Sequence, residues 1–267
     1  MRMRMEEEIV QLLHDIRGVL AYQQASLIEV YPASSELAAF LDGCRLQETA
    51  AAAIAPDKSA RKKVLEAAAV EKKSDLETLA EIATEVAQCT SCTLSAHRFC
   101  SVAGRGGGER IRLLVIGHWL SVPEQSGLNS VFGKEEDLML ERMLTAIHLP
   151  MEEVFVTNVI KCGLGPDIQP QTEHLDACAS YLRRQITAVA PELICTMGMV
   201  ATKTLLRLSQ PLSRLRGRFH TYQGADGSKI PLLPTFHPGY LLQNPEMKKA
   251  TWHDLQALEK YLQQRRR

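Results

Sequence analysis

Across the C-terminal two-thirds of the chain, short apolar, β-branched runs alternate with longer segments of helical periodicity. Ile111 to Gly117, Val154 to Lys161, Glu192 to Gly198 and Lys229 to Phe236 read as strands. Glu136 to His148, Thr172 to Ala188, Val200 to Leu208 and Pro245 to Gln264 read as helices. This order predicts an α/β fold, a three-layer α/β/α arrangement on a short, mostly parallel four-stranded sheet covered on both faces. Ligands in such folds sit at the carboxyl ends of the strands. Here those ends are Gly117-His118, Asn158 to Cys162, Gly198 and His237.

The N-terminal part has a different pattern. Residues 4–30 place Ile9, Leu12, Leu13, Ile16, Val19 and Leu20 at three- and four-residue steps, the signature of an amphipathic helix. Pro32 breaks it before a second helix around Glu36 to Leu41. From Cys44 to Lys73 the chain is alanine-rich and charged with weak periodicity, which reads as a linker or a solvated helix. The expected organisation is a helical extension and linker over residues 1–75, then an α/β domain over 76–264, opened by a helix from Ser74 to Val86 that Ser74 caps.

Composition narrows the function. The 31 basic and 31 acidic side chains cancel, so affinity for nucleic acid has to come from a local patch. There is no apolar stretch suited to a signal peptide or a spanning helix, and the expectation is a cytoplasmic protein with no membrane partner. The seven cysteines are then expected to be ligands or buried thiols rather than a disulfide framework.

Two groups of residues carry candidate chemistry. In Pro234 to Leu255, a strand ends at His237, an apolar knob of Tyr240, Leu241 and Leu242 follows in a loop, and Lys248 and Lys249 come next. Such a loop suits entry into a DNA groove, displacement of a base and contact with phosphates. It equally suits a helix N-terminus that packs its preceding hydrophobes into the core. The second group is the pair Cys89 and Cys92, with Cys162 and Cys178 further along. Four thiolates suit a [4Fe–4S] cluster or tetrahedral zinc. Cys100 competes for a ligand position, whereas Cys195 and Cys44 read as buried or linker thiols. Gly104-Arg-Gly-Gly-Gly precedes a strand instead of joining strand to helix, so it reads as a flexible turn and not a phosphate loop.

Several motifs in order give the chain a family resemblance. They are Cys-x2-Cys before Val102-Ala-Gly-Arg-Gly, VFVTNVIKC ending at Cys162, Cys178, Pro191 to Gly198, Leu215-Arg-Gly, and PTFHPGYLLQNP followed by Lys248, Trp252 and Asp254-Leu255. From about Leu76 to Leu262 the chain resembles the uracil-DNA glycosylase superfamily, in its iron–sulfur, family 4 branch. The resemblance implies a [4Fe–4S] cluster, favoured over zinc, on Cys89, Cys92, Cys162 and Cys178. It implies His237 as the donor to the departing base, Asn158 as the reader of its polar edge and Phe132 as the stacking aromatic, with Val131 in that place when no gap is allowed. Leu241 is implied as part of the wedge, and Gly117 as the backbone approach to the base.

The first site motif departs from the family. Where the family reads Gly-Glu-x-Pro-Gly, this chain reads Gly117-His118-Trp119-Leu120-Ser121. Glu124 matches a later acidic position able to orient water, and His118 stands as a substitute polar group. The family's arginine after the Leu-Leu pair is Gln243, and its Pro- and Arg-bearing loop after Cys162 becomes Gly163 to Ile168. The expected function is a DNA glycosylase that hydrolyses the N-glycosidic bond of uracil or another deaminated base in DNA. The alternative is a catalytically inactive iron–sulfur module that binds DNA or a partner on the same fold. The protein is expected to be a monomer that binds damaged DNA, with the N-terminal helices available to a protein partner.

Overall fold

The computed structural model describes residues 78–108, 110–121 and 130–265. The two N-terminal helices, the linker, the boundary near residue 75, Ser74 and Glu124 lie outside these residues. Helix α1 spans Leu79–Gln88. Thr78 caps it reciprocally: the Thr78 hydroxyl accepts from the Glu81 N–H at 3.3 Å, and the Glu81 carboxylate accepts from the Thr78 N–H at 2.7 Å. Ile82 and Val86 on its inner face pack with Tyr181.

The strands are β1 (Cys100–Ser101), β2 (Arg105–Gly106), β3 (Leu113–Gly117), β4 (Leu120–Ser121), β5 (Val154–Asn158), β6 (Cys162–Leu164), β7 (Leu193–Met197), β8 (His220–Gln223) and β9 (Lys229–Thr235). The helices after α1 are α2 (Lys134–Ala146), α3 (Thr172–Val189), α4 (Met199–Leu206), α5 (Leu212–Leu215), α6 (Pro238–Gln243) and α7 (Lys248–Gln264). The main sheet runs β2-β5-β3-β7-β9-β8. Its four central strands are parallel, as the strand–helix alternation predicts, and its two edges are antiparallel.

Both edge strands escape periodicity analysis because they are short and half-exposed. The glycine-rich turn contributes β2, where a Cβ on Gly106 would collide with the Val154 carbonyl, so close pairing with β5 requires glycine there. The run expected as one strand to Lys161 is shorter: β5 stops at Asn158, and beyond that run Cys162 opens β6 in a separate sheet of order β1-β6-β4. The helix expected from Pro245 is a 3-10 turn over Pro245–Met247 followed by α7.

Alternate residues of the parallel strands feed two cores. Leu113, Val115, Val156, Cys195 and Leu233 pack against Leu140 and Leu144 of α2 and Leu255, Leu258 and Leu262 of α7. Leu114, Ile116, Phe155, Ile194 and Leu232 pack against Leu182, Ile186 and Val189 of α3 and Ala201 of α4. These are the two faces of an α/β/α sandwich. No helix among the described residues is long and apolar enough to cross a membrane.

At the amino end of the sheet, opposite the strand ends of interest, Arg112 is buried and ties several elements together. Its guanidinium donates to the Leu262 carbonyl at 2.5 Å and to Glu153 and Glu192 at 3.3 Å. Arg112→Ala leaves both carboxylates without this cation, and its expected cost is about 3–5 kcal/mol, read as a fall in the urea midpoint.

Candidate active site

The parallel register sets Gly117 directly beside Asn158, so two of the expected site residues are neighbours across β3 and β5. On the other side, Gly198 follows β7 and donates its N–H to the Thr235 carbonyl of β9 at 2.9 Å. His237 follows β9 and caps α6, its Nδ1 accepting from the Gly239 N–H at 3.1 Å. A neutral imidazole carries one N–H, so an accepting Nδ1 places that proton on Nε2. Nε2 is buried and has no hydrogen-bond partner.

Phe132 closes the group. Its ring centroid is 4.8 Å from that of His237, and the His118 ring meets His237 edge-on at 4.3 Å. A Cβ on Gly117 would collide with Phe132 Cε1 and come within 2.6 Å of Asn158 Oδ1, so only glycine admits both groups. The Asn158 amide donates through Nδ2 to the Val131 carbonyl at 2.5 Å, while its Oδ1 is buried without a partner. An unpartnered donor and an unpartnered acceptor, each costly to bury, thus flank one aromatic ring. Between Val131 and Phe132, the ring touching His237 is that of Phe132.

The motif segments around His237 also meet. Arg216 and Thr235 both donate to Asp254 Oδ2, at 2.8 and 2.7 Å, and Gly217 lies where a Cβ would be 2.5 Å from Asp254 Oδ1. Asp254 therefore anchors α7 to the end of β9 and holds the turn that carries His237.

A second cluster lies on the α3 and α4 side. Cys92, Cys162 and Cys178 pack with Leu94, Trp119 and Val200, and Cys89 follows α1 directly. Burial pushes the Cys162 thiol up to about 11, and the charges of Cys178 and Cys92 act in the same direction. Cys178 is raised by burial and by Cys92 and Cys89. These thiols share one electrostatic neighbourhood. The causes acting on Cys100 are burial, a backbone contact with Gly163 and Arg98, and those on Cys195 are burial and Asp254, with no second thiol in either case. Among the described residues, no three or more His, Cys, Asp or Glu side chains are gathered as a group to hold one metal ion.

Residues 105–259 match the family described as the Uracil DNA glycosylase superfamily. The chain belongs to the uracil-DNA glycosylase superfamily. It is 29% identical over 191 residues to the type-4 uracil-DNA glycosylase of Saccharolobus solfataricus, covering 70% of this chain and 88% of that one. Likewise it is 27% identical over 187 residues to the type-4 enzyme of Archaeoglobus fulgidus, covering 68% and 92%. To that of Thermotoga maritima it is 28% identical over 190 residues, covering 70% and 96%. The superfamily segment includes Gly117, Phe132, Asn158, His237, Cys162 and Cys178, and begins after Cys89 and Cys92.

Beside this candidate site, the structure corrects the expected knob. Tyr240 to Leu242 lie on helix α6 and not in a loop, and Leu241 is 2% exposed whereas Leu242 is 36% exposed. The helical turn directs Leu241 inward, which leaves Leu242 as the protruding side chain. Sequence reasoning overlooked Asp137, Lys161 and Glu136. Asp137 is buried at the start of α2 and accepts from the backbone of the Phe132 loop. Lys161 is buried and donates to the Asn158 carbonyl at 2.6 Å, to Thr157 Oγ1 at 2.7 Å and to Gln185 Oε1 at 2.6 Å. Burial lowers its pKa to about 7 against the opposing charge of Cys178. The Glu136 carboxyl lies beside Gly133 and Gly239, and burial raises its pKa. An isolated Asp, Lys or Glu reads as surface charge, so nothing in the sequence distinguished these three.

Both site histidines are held neutral. Burial lowers His118 to about 4, and burial with the added effect of His118 lowers His237 well below 6.5. In the unfolded chain both protonate near the ordinary histidine value of 6.5. Below that value the unfolded state binds more protons, so stability present at neutral pH is lost as pH falls towards 4. The expected slope is at most roughly 1.4 kcal/mol per pH unit for each histidine. Urea melts from pH 7 to 4 should show a shallower decline for His118→Asn than for the unmutated protein.

Proposed function

We propose that the chain is a DNA glycosylase that hydrolyses the N-glycosidic bond of uracil, or of another deaminated base, after the nucleotide rotates out of the DNA stack. The observation that carries this reading is the pairing of the unpartnered His237 Nε2–H donor with the unpartnered Asn158 Oδ1 acceptor beside Phe132. Uracil presents a complementary edge, with an N3–H donor between two carbonyl oxygens. Asn158 Oδ1 accepts from N3–H, and cytosine, which has no hydrogen at N3, leaves that acceptor buried and unsatisfied. Phe132 stacks on the base.

As the glycosidic bond lengthens, negative charge collects on the departing base. The His237 Nε2–H donates to a carbonyl oxygen of that base, and because burial keeps the imidazole neutral its proton stays in place throughout. A donor fixed before the reaction stabilises the charged transition state more than the neutral ground state. Water then takes the place of the base on the sugar, with Glu124 or His118 as the sequence-derived candidates to orient it. Exposed Leu242 on α6 and exposed Lys248, Lys249 and Trp252 on α7, which follow His237 along the chain, are the candidates for a wedge and phosphate contacts.

Cys89, Cys92, Cys162 and Cys178 are the residues that would hold a [4Fe–4S] cluster. The packing of Cys92, Cys162 and Cys178 in one cluster, the electrostatic influence of the thiols on one another and their all-sulfur chemistry suit it. Through these four thiols a bound cluster would supply a structural cross-link between α1, β6 and α3. Protein purified without air is expected to be brown and to contain iron, and Cys178→Ser is expected to lose the colour and lower the melting temperature. A colourless, zinc-containing preparation would replace the cluster with zinc.

The deciding experiment is base release from a uracil-containing single-stranded oligonucleotide. Abasic product is expected from the unmutated protein, with at least a hundredfold slower release by His237→Ala, the scale for losing one such donor. DNA binding that survives His237→Ala, with no product from either form on uracil or hypoxanthine, would instead establish a non-catalytic binding module.

A further inference from the structure

Asn158 can read a base only if its amide is locked in one orientation, and the residue that locks it is not on β5. We infer that Asp137 is the positioning residue that sets base specificity, acting through Val131 on Asn158. The inference rests on the base-reading role proposed for Asn158.

Asp137 lies in the first turn of α2, 5% exposed. Its Oδ2 accepts from the Ser130 hydroxyl at 2.6 Å and from the Val131 N–H at 2.9 Å, and its Oδ1 accepts from the Phe132 N–H at 3.1 Å. Ser130 Oγ in turn accepts from the Gly133 N–H at 3.0 Å. One carboxylate thereby holds the backbone of residues 130–133. A carboxylate at the N-terminal end of a helix is ordinarily a partner for the helix dipole. Here both oxygens are directed instead at the loop that precedes the helix.

The loop transmits this constraint to the amide. With the N–H groups of residues 131 and 132 fixed, the Val131 carbonyl points at Asn158 and accepts from Nδ2 at 2.5 Å. A carbonyl accepts only from the NH2 end, so this bond decides the amide orientation and leaves Oδ1 as the acceptor facing the site. The same clamp sets Phe132, whose ring lies against His237. If the Val131 carbonyl turned away, Asn158 could rotate and offer its NH2 group to an acceptor such as N3 of cytosine. Discrimination between a base with N3–H and one without it therefore depends on a carboxylate that touches neither base.

Asp137→Asn keeps the volume but replaces one accepting oxygen with an NH2 group, which cannot accept, so the clamp loses either its bonds from Ser130 and Val131 or its bond from the Phe132 N–H. Ser130→Ala removes the hydroxyl arm, with its bonds to Asp137 and Gly133, but leaves both backbone arms on Asp137 and is the milder variant. The measurement is the affinity of the full-length protein, purified without air, for two single-stranded oligonucleotides. One carries 2′-fluoro-deoxyuridine, whose glycosidic bond resists hydrolysis, and the other an abasic analogue at the same position. The ratio of the two affinities reports base reading apart from binding to the DNA backbone.

The unmutated protein is expected to prefer the uracil oligonucleotide. Asp137→Asn should reduce that preference by about tenfold, the scale of one lost charge-assisted hydrogen bond, with affinity for the abasic oligonucleotide unchanged within about twofold. Ser130→Ala should shift it in the same direction by less, and it carries the test if Asp137→Asn fails to fold. An unaltered preference in the folded variant, or an equal loss of affinity for both oligonucleotides, would overturn the inference and leave Asp137 a purely structural residue. No preference in the unmutated protein would overturn the base-reading role of Asn158 itself, and Asp137's role with it.

Discussion

At the end of β3 the backbone of Gly117 approaches Phe132 and Asn158 so closely that a Cβ has no space. The site depends on that approach. It allows a ring from the loop before α2 and an amide from β5 to meet over the end of the neighbouring strand, and it brings the ring within reach of His237 after β9. The parallel register supplies the rest, since consecutive strands deliver their carboxyl ends to one side of the sheet, where a doubly wound fold places its ligands.

Bringing those groups together has an energetic cost. A buried donor and a buried acceptor without partners each cost roughly 1–3 kcal/mol, and two neutral histidines stand close together. The surroundings hold them in place. Gly239 fixes the His237 tautomer, Val131 fixes the Asn158 amide, and Lys161 binds the Asn158 carbonyl from behind. Asp254, bonded to Arg216 and Thr235, secures the turn carrying His237. Polar groups left unsatisfied within an otherwise satisfied network are poised for a ligand, which is the physical content of a preorganised site.

The four thiols show a different logic. Cys89 and Cys92 flank the end of α1 and the turn after it, while Cys162 opens β6, the middle strand of the small sheet, and Cys178 belongs to α3. Arg98 donates to the Val86 and Ala87 carbonyls at the end of α1 and lowers the Cys162 pKa against the raising effect of burial, so a cation sits beside the thiol cluster. The Lys161 amine also acts on Cys178. The same lysine binds the Asn158 carbonyl, which links the thiol cluster and the candidate base-reading residue through one side chain.

Much of this was determined by the sequence alone. Strand and helix periods determined the parallel core and its two helical layers, because burial on both faces demands continuous apolar strands. Ordered motifs, through their resemblance to the family, singled out Gly117, Asn158, His237 and the four cysteines, whereas residue identity alone left Cys100 in competition for a ligand position. Tertiary structure decided what depends on direction and distance. The β2 edge, the break between β5 and β6, and the inward turn of Leu241 follow from packing between segments far apart in the chain. So do the roles of Asp137 and Lys161, because a charged residue shows its partners only when the chain has folded around it. A hydrogen bond requires two groups to be near and aligned, and no periodicity along a single chain encodes that.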